Sequence, residues 1–231
     1  RGERSYLWSM YDSVLAATSI ARNIGYIPPD HFKAPKSLCD FRAVERLLDE
    51  TLLPEAEALI NKILTISIQQ AYNGVIDFTD QVYMPALFGG TYPSFPVVLV
   101  DEYQDLSPVN RAMVGRLCKH SRQIGVGDEA QAIYEFRGAD VKAMPDAIEQ
   151  FNMVTLPLST SFRCPTAITE NVHWHVPDIR SVRSGGTVAR GNCQSIEDNS
   201  AVICRYNAPL IALAMDLLSQ GHKVDVAGVD I

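Results

Sequence analysis

Acidic residues follow short apolar runs at two places in this sequence. Asp101 and Glu102 come directly after residues 95–100, and Asp128 ends a second run at 123–128. A carboxylate at the end of a strand can hold Mg²⁺ beside a nucleotide, and its neighbour can orient or deprotonate an attacking water. Acidic pairs after apolar runs are common, however. Taken alone, Asp101 and Glu102 are more typical of a charged turn that ends a strand.

The elements around these acids follow a strand–helix alternation. Residues 95–100 are apolar and rich in β-branched side chains, which is typical of a parallel strand buried on both faces. Ser107 and Pro108 predict the start of a helix that ends near Lys119. Further predicted elements are a strand over 123–128, a helix over 141–150, a strand over 153–158, a helix from Cys164, a strand over 201–205, a helix over 208–220 and a strand over 223–227. This order predicts a parallel α/β sheet, with ligands at the carboxyl ends of its strands.

The first part of the chain has a different pattern. Residues 1–72 are predicted to be helical apart from a proline-containing loop over 25–35. Apolar residues recur every three or four positions after Asp40, which is the expected N-cap, and a second helix is predicted over 55–71. No residue in this part suggests chemistry.

Composition limits the possible classes of protein. No apolar run approaches the ~20 residues of a membrane span, and no signal pattern is present, so a cytoplasmic protein without a membrane partner is expected. The five cysteines form no C-x-x-C pair, which argues against a zinc site, and His173 and His175 are expected to be ordinary surface residues. The net charge of −7 predicts that any contact with nucleic acid is local.

Three segments together carry a resemblance to a known family. Their patterns are D-E-x-Q-D at 101–105, V-G-D-x-x-Q-x-I-Y-x-F-R-G-A at 126–139 and L-x-x-S-F-R at 158–163. In this order they resemble the second, third and fourth motifs of the UvrD/Rep family of superfamily 1 DNA helicases. I-D-F-T-D at 76–80 and the segment 201–210 are also similar to family segments. The resemblance therefore extends from about residue 55 onward.

The resemblance implies an ATP site with a defined role for each residue. Asp101 would hold Mg²⁺, Glu102 would be the catalytic base, and Gln131 would sense the γ-phosphate. Gln104 is placed with the residues that bind ATP, with a purely structural link as the alternative. Arg163 would be an arginine finger, unless it caps a helix or pairs with an acid.

The resemblance also implies stacking sites. Phe162 would stack on the adenine of ATP, while Tyr134 and Phe136 would stack on unpaired bases of DNA, a contact that needs no basic surface. Arg137 would add a cation or link the DNA and ATP sites. The alternative for Tyr134 and Phe136 is an ordinary place in the core.

The sequence departs from the family in one important respect. It contains no G-x-x-x-x-G-K-[ST] loop to cradle phosphates, so we expect a fragment whose isolated activity is negligible. The expected fold is α/β, with partial RecA-like (P-loop NTPase-type) motor domains and a helical N-terminal part. Residues 1–73 would be a helical accessory region of the first motor domain, 74–150 part of the first motor domain and 151–231 part of the second.

The expected function is ATP hydrolysis coupled to 3′-to-5′ movement on single-stranded DNA, with DNA junctions as further partners and repair or replication as the setting. One alternative is an inactive helicase-like interaction module, which a phosphate-binding loop encoded upstream would exclude. A nucleotide-binding switch is a second alternative. The aromatic segment 133–138 argues against it, because a switch needs no platform for stacking bases.

Overall fold

The computed structural model describes residues 2–29, 32, 37–132, 142–191, 196–197, 199–204 and 206–226. The chain divides into two compact units, Arg1–Pro157 and Leu158–Ile231. Both contain helices and a small parallel sheet, which confirms the mixed α/β class. Within the described residues, none of the helices is both long and apolar enough to cross a membrane.

The first unit contains six helices and two strands among its described residues. In chain order they are α1 (Gly2–Ile24), α2 (Phe41–Leu48), α3 (Pro54–Tyr72), α4 (Asp80–Phe88), β1 (Val97–Val100), α5 (Pro108–Leu117), β2 (Arg122–Gly125) and α6 (Ala143–Phe151). Two predicted helix starts are confirmed. The Asp40 side chain accepts a hydrogen bond from the Ala43 amide at 3.1 Å, and the Ser107 hydroxyl accepts one from Asn110 at 3.2 Å.

The helical part has two apolar clusters. The first joins α1, α2 and α3, and its most buried members are Ala17, Ala21, Val44, Ile60 and Leu64. The second joins α3, α4 and α5 around Tyr83, whose hydroxyl donates to the Tyr26 carbonyl oxygen at 2.6 Å. A buried tyrosine needs such a partner, because an unsatisfied hydroxyl in an apolar core is costly.

An ion cluster fastens α1 to the turn before α4. The Arg22 guanidinium donates to both carboxylate oxygens of Asp77 and to Asp80 Oδ1, each at 2.6 Å. Burial acts to lower the pKa of Arg22, but these two carboxylates outweigh it and raise the pKa. Asp77 and Asp80 are the acids of the I-D-F-T-D segment. In this structure, that segment therefore helps to hold the helices together.

The first sheet consists of β1 and β2, which pair in parallel with Val97 opposite Arg122 and Val100 opposite Gly125. The prediction that the first strand is buried on both faces is wrong. Leu99 is 74% exposed, and Val97 and Ile124 are also exposed, whereas the alternate residues are half-buried. A strand in a two-stranded sheet that is covered on one side alternates in exposure, and the apolar composition of residues 95–100 did not reveal this.

The second unit contains β3 (Thr160–Pro165), α7 (Thr166–Asn171), β4 (Arg180–Arg183) and α8 (Asn207–Ser219) among its described residues. The strands pair in parallel, with Thr160 opposite Arg180. The predicted helix over 208–220 is confirmed as α8. The helix predicted from Cys164 begins two residues later, because Cys164 and Pro165 still belong to β3.

Three strands predicted near or in this unit are not present as predicted. Residues 153–158 form no strand, and Val154, Leu156 and Leu158 are more than 80% exposed. Residues 201–204 and 223–226, the described parts of the other two, are not strands either. Alternation of apolar residues indicates a strand only where a neighbouring backbone pairs with it, and here the pairing occurs at β3 and β4 instead.

Candidate functional site

The first acidic turn lies at the carboxyl end of β1. Asp101 and Glu102 are both exposed, and Asp101 Oδ1 accepts a hydrogen bond from the Glu102 amide at 3.0 Å. Glu102 adopts a left-handed backbone, with φ 48° and ψ 48°, immediately before a 3₁₀ turn over Tyr103–Asp105. Such a conformation is unfavourable for glutamate and recurs at functional sites. Because both side chains are exposed, the two carboxylates are accessible to a cation or water.

The second acidic loop follows β2 and lies beside the first, at the same edge of the sheet. The Tyr103 amide donates to the Val126 carbonyl oxygen at 2.9 Å, and the Val126 amide donates to the Val100 carbonyl oxygen at 2.8 Å. Tyr103 is 2% exposed, and its hydroxyl accepts a hydrogen bond from Gln123 Nε2 at 3.0 Å. These bonds extend the pairing of β1 and β2 beyond the strands and fix the two loops side by side.

Within the second loop, Asp128 organises the residues that follow it. Its Oδ1 accepts from the Ala130 amide at 3.0 Å, and its Oδ2 accepts from Gln131 Nε2 at 2.7 Å. Gln131 is exposed. The side chain predicted to sense a phosphate is thus held at the edge of the loop, where a ligand could reach it.

Gln104 joins the two loops. Its side chain is almost completely buried, its Nε2 donates to Glu102 Oε2 at 2.7 Å, and its Oε1 accepts from the Asp128 amide at 3.0 Å. Gly127 allows this approach, because a Cβ atom at that position would lie 2.5 Å from Gln104 Oε1. Gly127 is not among the residues predicted from the sequence to form the site. The signal was a glycine directly before an acid at a strand end, a position where a close approach to the backbone is often required.

Asp105 lies behind the first acidic turn. Burial, and then the negative charge of Glu102, raise the pKa of the Asp105 carboxyl. Among the described residues, none lies within hydrogen-bond distance of its Oδ1 atom. Asp105 is half-buried, whereas Asp101 and Glu102 of the same motif are exposed.

The predicted site residues fall into both units of the chain. Asp101, Glu102, Gln104 and Gln131 lie in the unit Arg1–Pro157, whereas Phe162 and Arg163 lie on β3 of the other unit. Phe162 is 74% exposed, and Arg163 is also exposed. Tyr134, Phe136 and Arg137 lie outside the described residues.

A metal ion held entirely by protein side chains would need several ligands close together. They contain no cluster of three or more histidine, cysteine, aspartate or glutamate side chains that could hold an ion. His173 Nε2 lies 2.7 Å from the Ile179 carbonyl oxygen, and the His175 ring lies against Trp174. Asp101 could nevertheless hold Mg²⁺, since this ion is often bound by one or two carboxylates, with water and phosphate oxygens completing its shell.

Comparison with known proteins agrees with the motifs. Residues 45–152 match the model of the UvrD/REP helicase N-terminal domain. The RecBCD enzyme subunit RecB of Escherichia coli is 30% identical over 118 residues, which cover 44% of this chain and 10% of RecB. DNA helicase IV of Escherichia coli is 38% identical over 77 residues, covering 32% of this chain and 11% of the relative.

A third relative, DNA helicase II of Haemophilus influenzae, is 27% identical over 123 residues, covering 47% of this chain and 17% of the relative. The chain thus spans a small part of the length of each of these curated relatives. The resemblance to UvrD/Rep-type DNA helicases that the three motifs indicated is confirmed.

Proposed function

We propose that this chain is part of an ATP-dependent DNA helicase that moves 3′ to 5′ along single-stranded DNA. The observation that carries the proposal is the pair of exposed carboxylates, Asp101 and Glu102, at the carboxyl end of β1 and beside the loop with Gln131. Ligands of open parallel sheets bind at this edge. The relatives named as DNA helicases support the choice of reaction and substrate.

In this proposal the first acidic turn performs the chemistry. Asp101 holds Mg²⁺, which neutralises charge on the phosphates when bound. Glu102 orients the attacking water and accepts its proton. Gln131 contacts the γ-phosphate from the second loop, where its side chain is exposed and donates a hydrogen bond to Asp128 at 2.7 Å.

Two residues of β3 have proposed roles of their own toward ATP. Phe162 stacks on the adenine, and Arg163 stabilises the charge that develops during phosphoryl transfer. Their exposure on β3 is compatible with these roles. The two units would then represent parts of two RecA-like motor domains, over 74–150 and 151–231, with residues 1–73 as a helical accessory region.

DNA would be held mainly by stacking. Tyr134 and Phe136 stack on unpaired bases, and Arg137 links that site to ATP or to a phosphate of the strand. This mode of binding is compatible with the net charge of −7, because it does not depend on a basic surface. Single-stranded DNA and junctions with single-stranded arms are the expected substrates.

The test is Glu102→Gln in the full-length protein that contains these residues. The substitution keeps size and hydrogen bonding but removes the base, so ATP hydrolysis should fall by several orders of magnitude while ATP binding is preserved. Glu149→Gln, an exposed position on α6, is the matched control and should leave both unchanged. Hydrolysis by Glu102→Gln within about tenfold of the wild type would show that Glu102 is not the base.

A further inference from the structure

Gln104 is a buried polar side chain that connects the two acidic loops. We propose that Gln104 is a positioning residue, which fixes the Glu102 carboxylate by tying it to the backbone of the loop after β2. This inference rests on the proposed role of Glu102 as the base. It also differs from the sequence-based expectation for Gln104, in which its side chain contacts ATP directly.

Burial and hydrogen bonding favour the indirect role. Gln104 is 3% exposed, and each end of its amide already has a partner in the protein. A side chain in this state presents no polar atom to a ligand. It can act on the reaction only through the groups it holds, which are the carboxylate of Glu102 and the amide of Asp128.

The partners also fix which end of the amide points in which direction. An ionised carboxylate can only accept, so the Gln104 nitrogen must face Glu102, and a backbone N–H can only donate, so the oxygen must face Asp128. The glutamine amide offers a donor and an acceptor from one uncharged planar group. Glutamate lacks the donor, and leucine lacks both groups.

The surrounding backbone is adapted to this link. The left-handed conformation of Glu102 turns its carboxylate back toward the side chain two residues later. Gly127 lets the second loop come close, since a Cβ there would also meet the Tyr103 amide at 3.0 Å. Two unusual backbone features thus converge on the same amide group.

The link can be observed directly in the 231-residue chain, without any activity. In Gln104→Leu the Asp128 amide loses its acceptor, and its hydrogen exchange should become about tenfold faster or more. Gln104→Glu keeps an acceptor and should preserve much of this protection. Gln123→Leu is the matched control, because it removes a neighbouring hydrogen bond to Tyr103 and does not touch Asp128. Unchanged exchange of Asp128 in Gln104→Leu would overturn the proposal.

The effect on the reaction is measured in the full-length protein. Gln104→Leu should lower kcat for ATP about 10- to 100-fold, since a hydrogen bond to a charged group is lost. Gln104→Glu should also lower kcat, because it places a second carboxylate beside that of Glu102 and disfavours its basic form. KM for ATP should change less than about twofold, because Gln104 does not touch the nucleotide. A rise in KM with kcat unchanged would instead establish direct contact with ATP and refute the positioning role.

The two proposals fail in different ways. If Glu102→Gln retains turnover while the Asp128 amide still responds to Gln104→Leu, the assignment of Glu102 is wrong and the structural link stands. If Glu102→Gln abolishes turnover but the Gln104 variants leave kcat unchanged, the helicase proposal stands and the positioning role is refuted.

Discussion

Replacing Arg22 with methionine is expected to destabilise the unit Arg1–Pro157 by about 3 kcal/mol. The substitution leaves the Asp80 carboxylate, which is 4% exposed, without its cation. Breaking a buried ion pair from one side costs ~3–5 kcal/mol. We expect the lower end of this range, because Asp80 Oδ2 keeps a hydrogen bond from the Asp77 amide at 3.0 Å.

The same cluster makes stability depend on pH. Hydrogen bonds from Arg22 lower the pKa of Asp77 to about 2, below its ordinary value of about 4. Because the folded-state pKa is the lower one, this stabilisation is complete above about pH 4 and is lost as the pH falls toward 2. Asp77 is 56% exposed, so solvent screening limits the contribution to about 1 kcal/mol.

Urea unfolding of the 231-residue chain, followed by far-ultraviolet circular dichroism, measures both effects. Most of the helix lies in the first unit, so the signal reports mainly on it. Arg42→Met, an exposed position on α2, is the control and should stay within about 0.5 kcal/mol of the wild type. A cost below about 1 kcal/mol for Arg22→Met would refute the reasoning on burial. An Asp77→Asn variant that keeps the wild-type loss of stability between pH 4 and 2 would refute the reasoning on pH.

Two further predictions concern the loops around the site. Gly127→Ala should lower the free energy of unfolding by about 1–3 kcal/mol in the same assay, because the new Cβ would lie less than 3 Å from Gln104 and Met144. The control is Gly191→Ala, whose Cβ would have no neighbour within 4 Å and should leave the free energy of unfolding almost unchanged. Tyr134→Ala and Phe136→Ala, in the full-length protein, should each weaken binding of a fluorescent single-stranded oligonucleotide by ~1–3 kcal/mol with little change in melting temperature. A large fall in melting temperature would instead indicate core residues, whose truncation costs ~3–5 kcal/mol.

Much of the first unit could be predicted because its signals are local. The N-caps Asp40 and Ser107 and the apolar spacing of α3 each depend on residues a few positions apart. The second unit was less predictable, since its sheet depends on which backbones pair. Residues 153–158 carry the alternation of a strand without a partner, and β4 carries an arginine-rich sequence that pairs with β3.

The candidate site shows the same division. The acids at the ends of β1 and β2 could be predicted, because an apolar run followed by a carboxylate is visible in the sequence and parallel strands align their ends. The link between the two acidic loops through Gln104 could not be predicted from the sequence. Gln104 and Asp128 are 24 positions apart in the sequence. Nothing in the local pattern distinguishes a buried glutamine such as Gln104 from an exposed one.

The left-handed backbone of Glu102 has a consequence for protein engineering. At φ 48° a glycine or an asparagine fits more easily than a glutamate, whose strain there is about 1–2 kcal/mol. Glu102→Gly or Glu102→Asn would relieve this strain, but either would remove the carboxylate that the buried Gln104 amide binds and that is proposed to activate water. Stabilised versions of this protein should hold position 102 constant, because backbone strain and the proposed catalytic role meet at that residue.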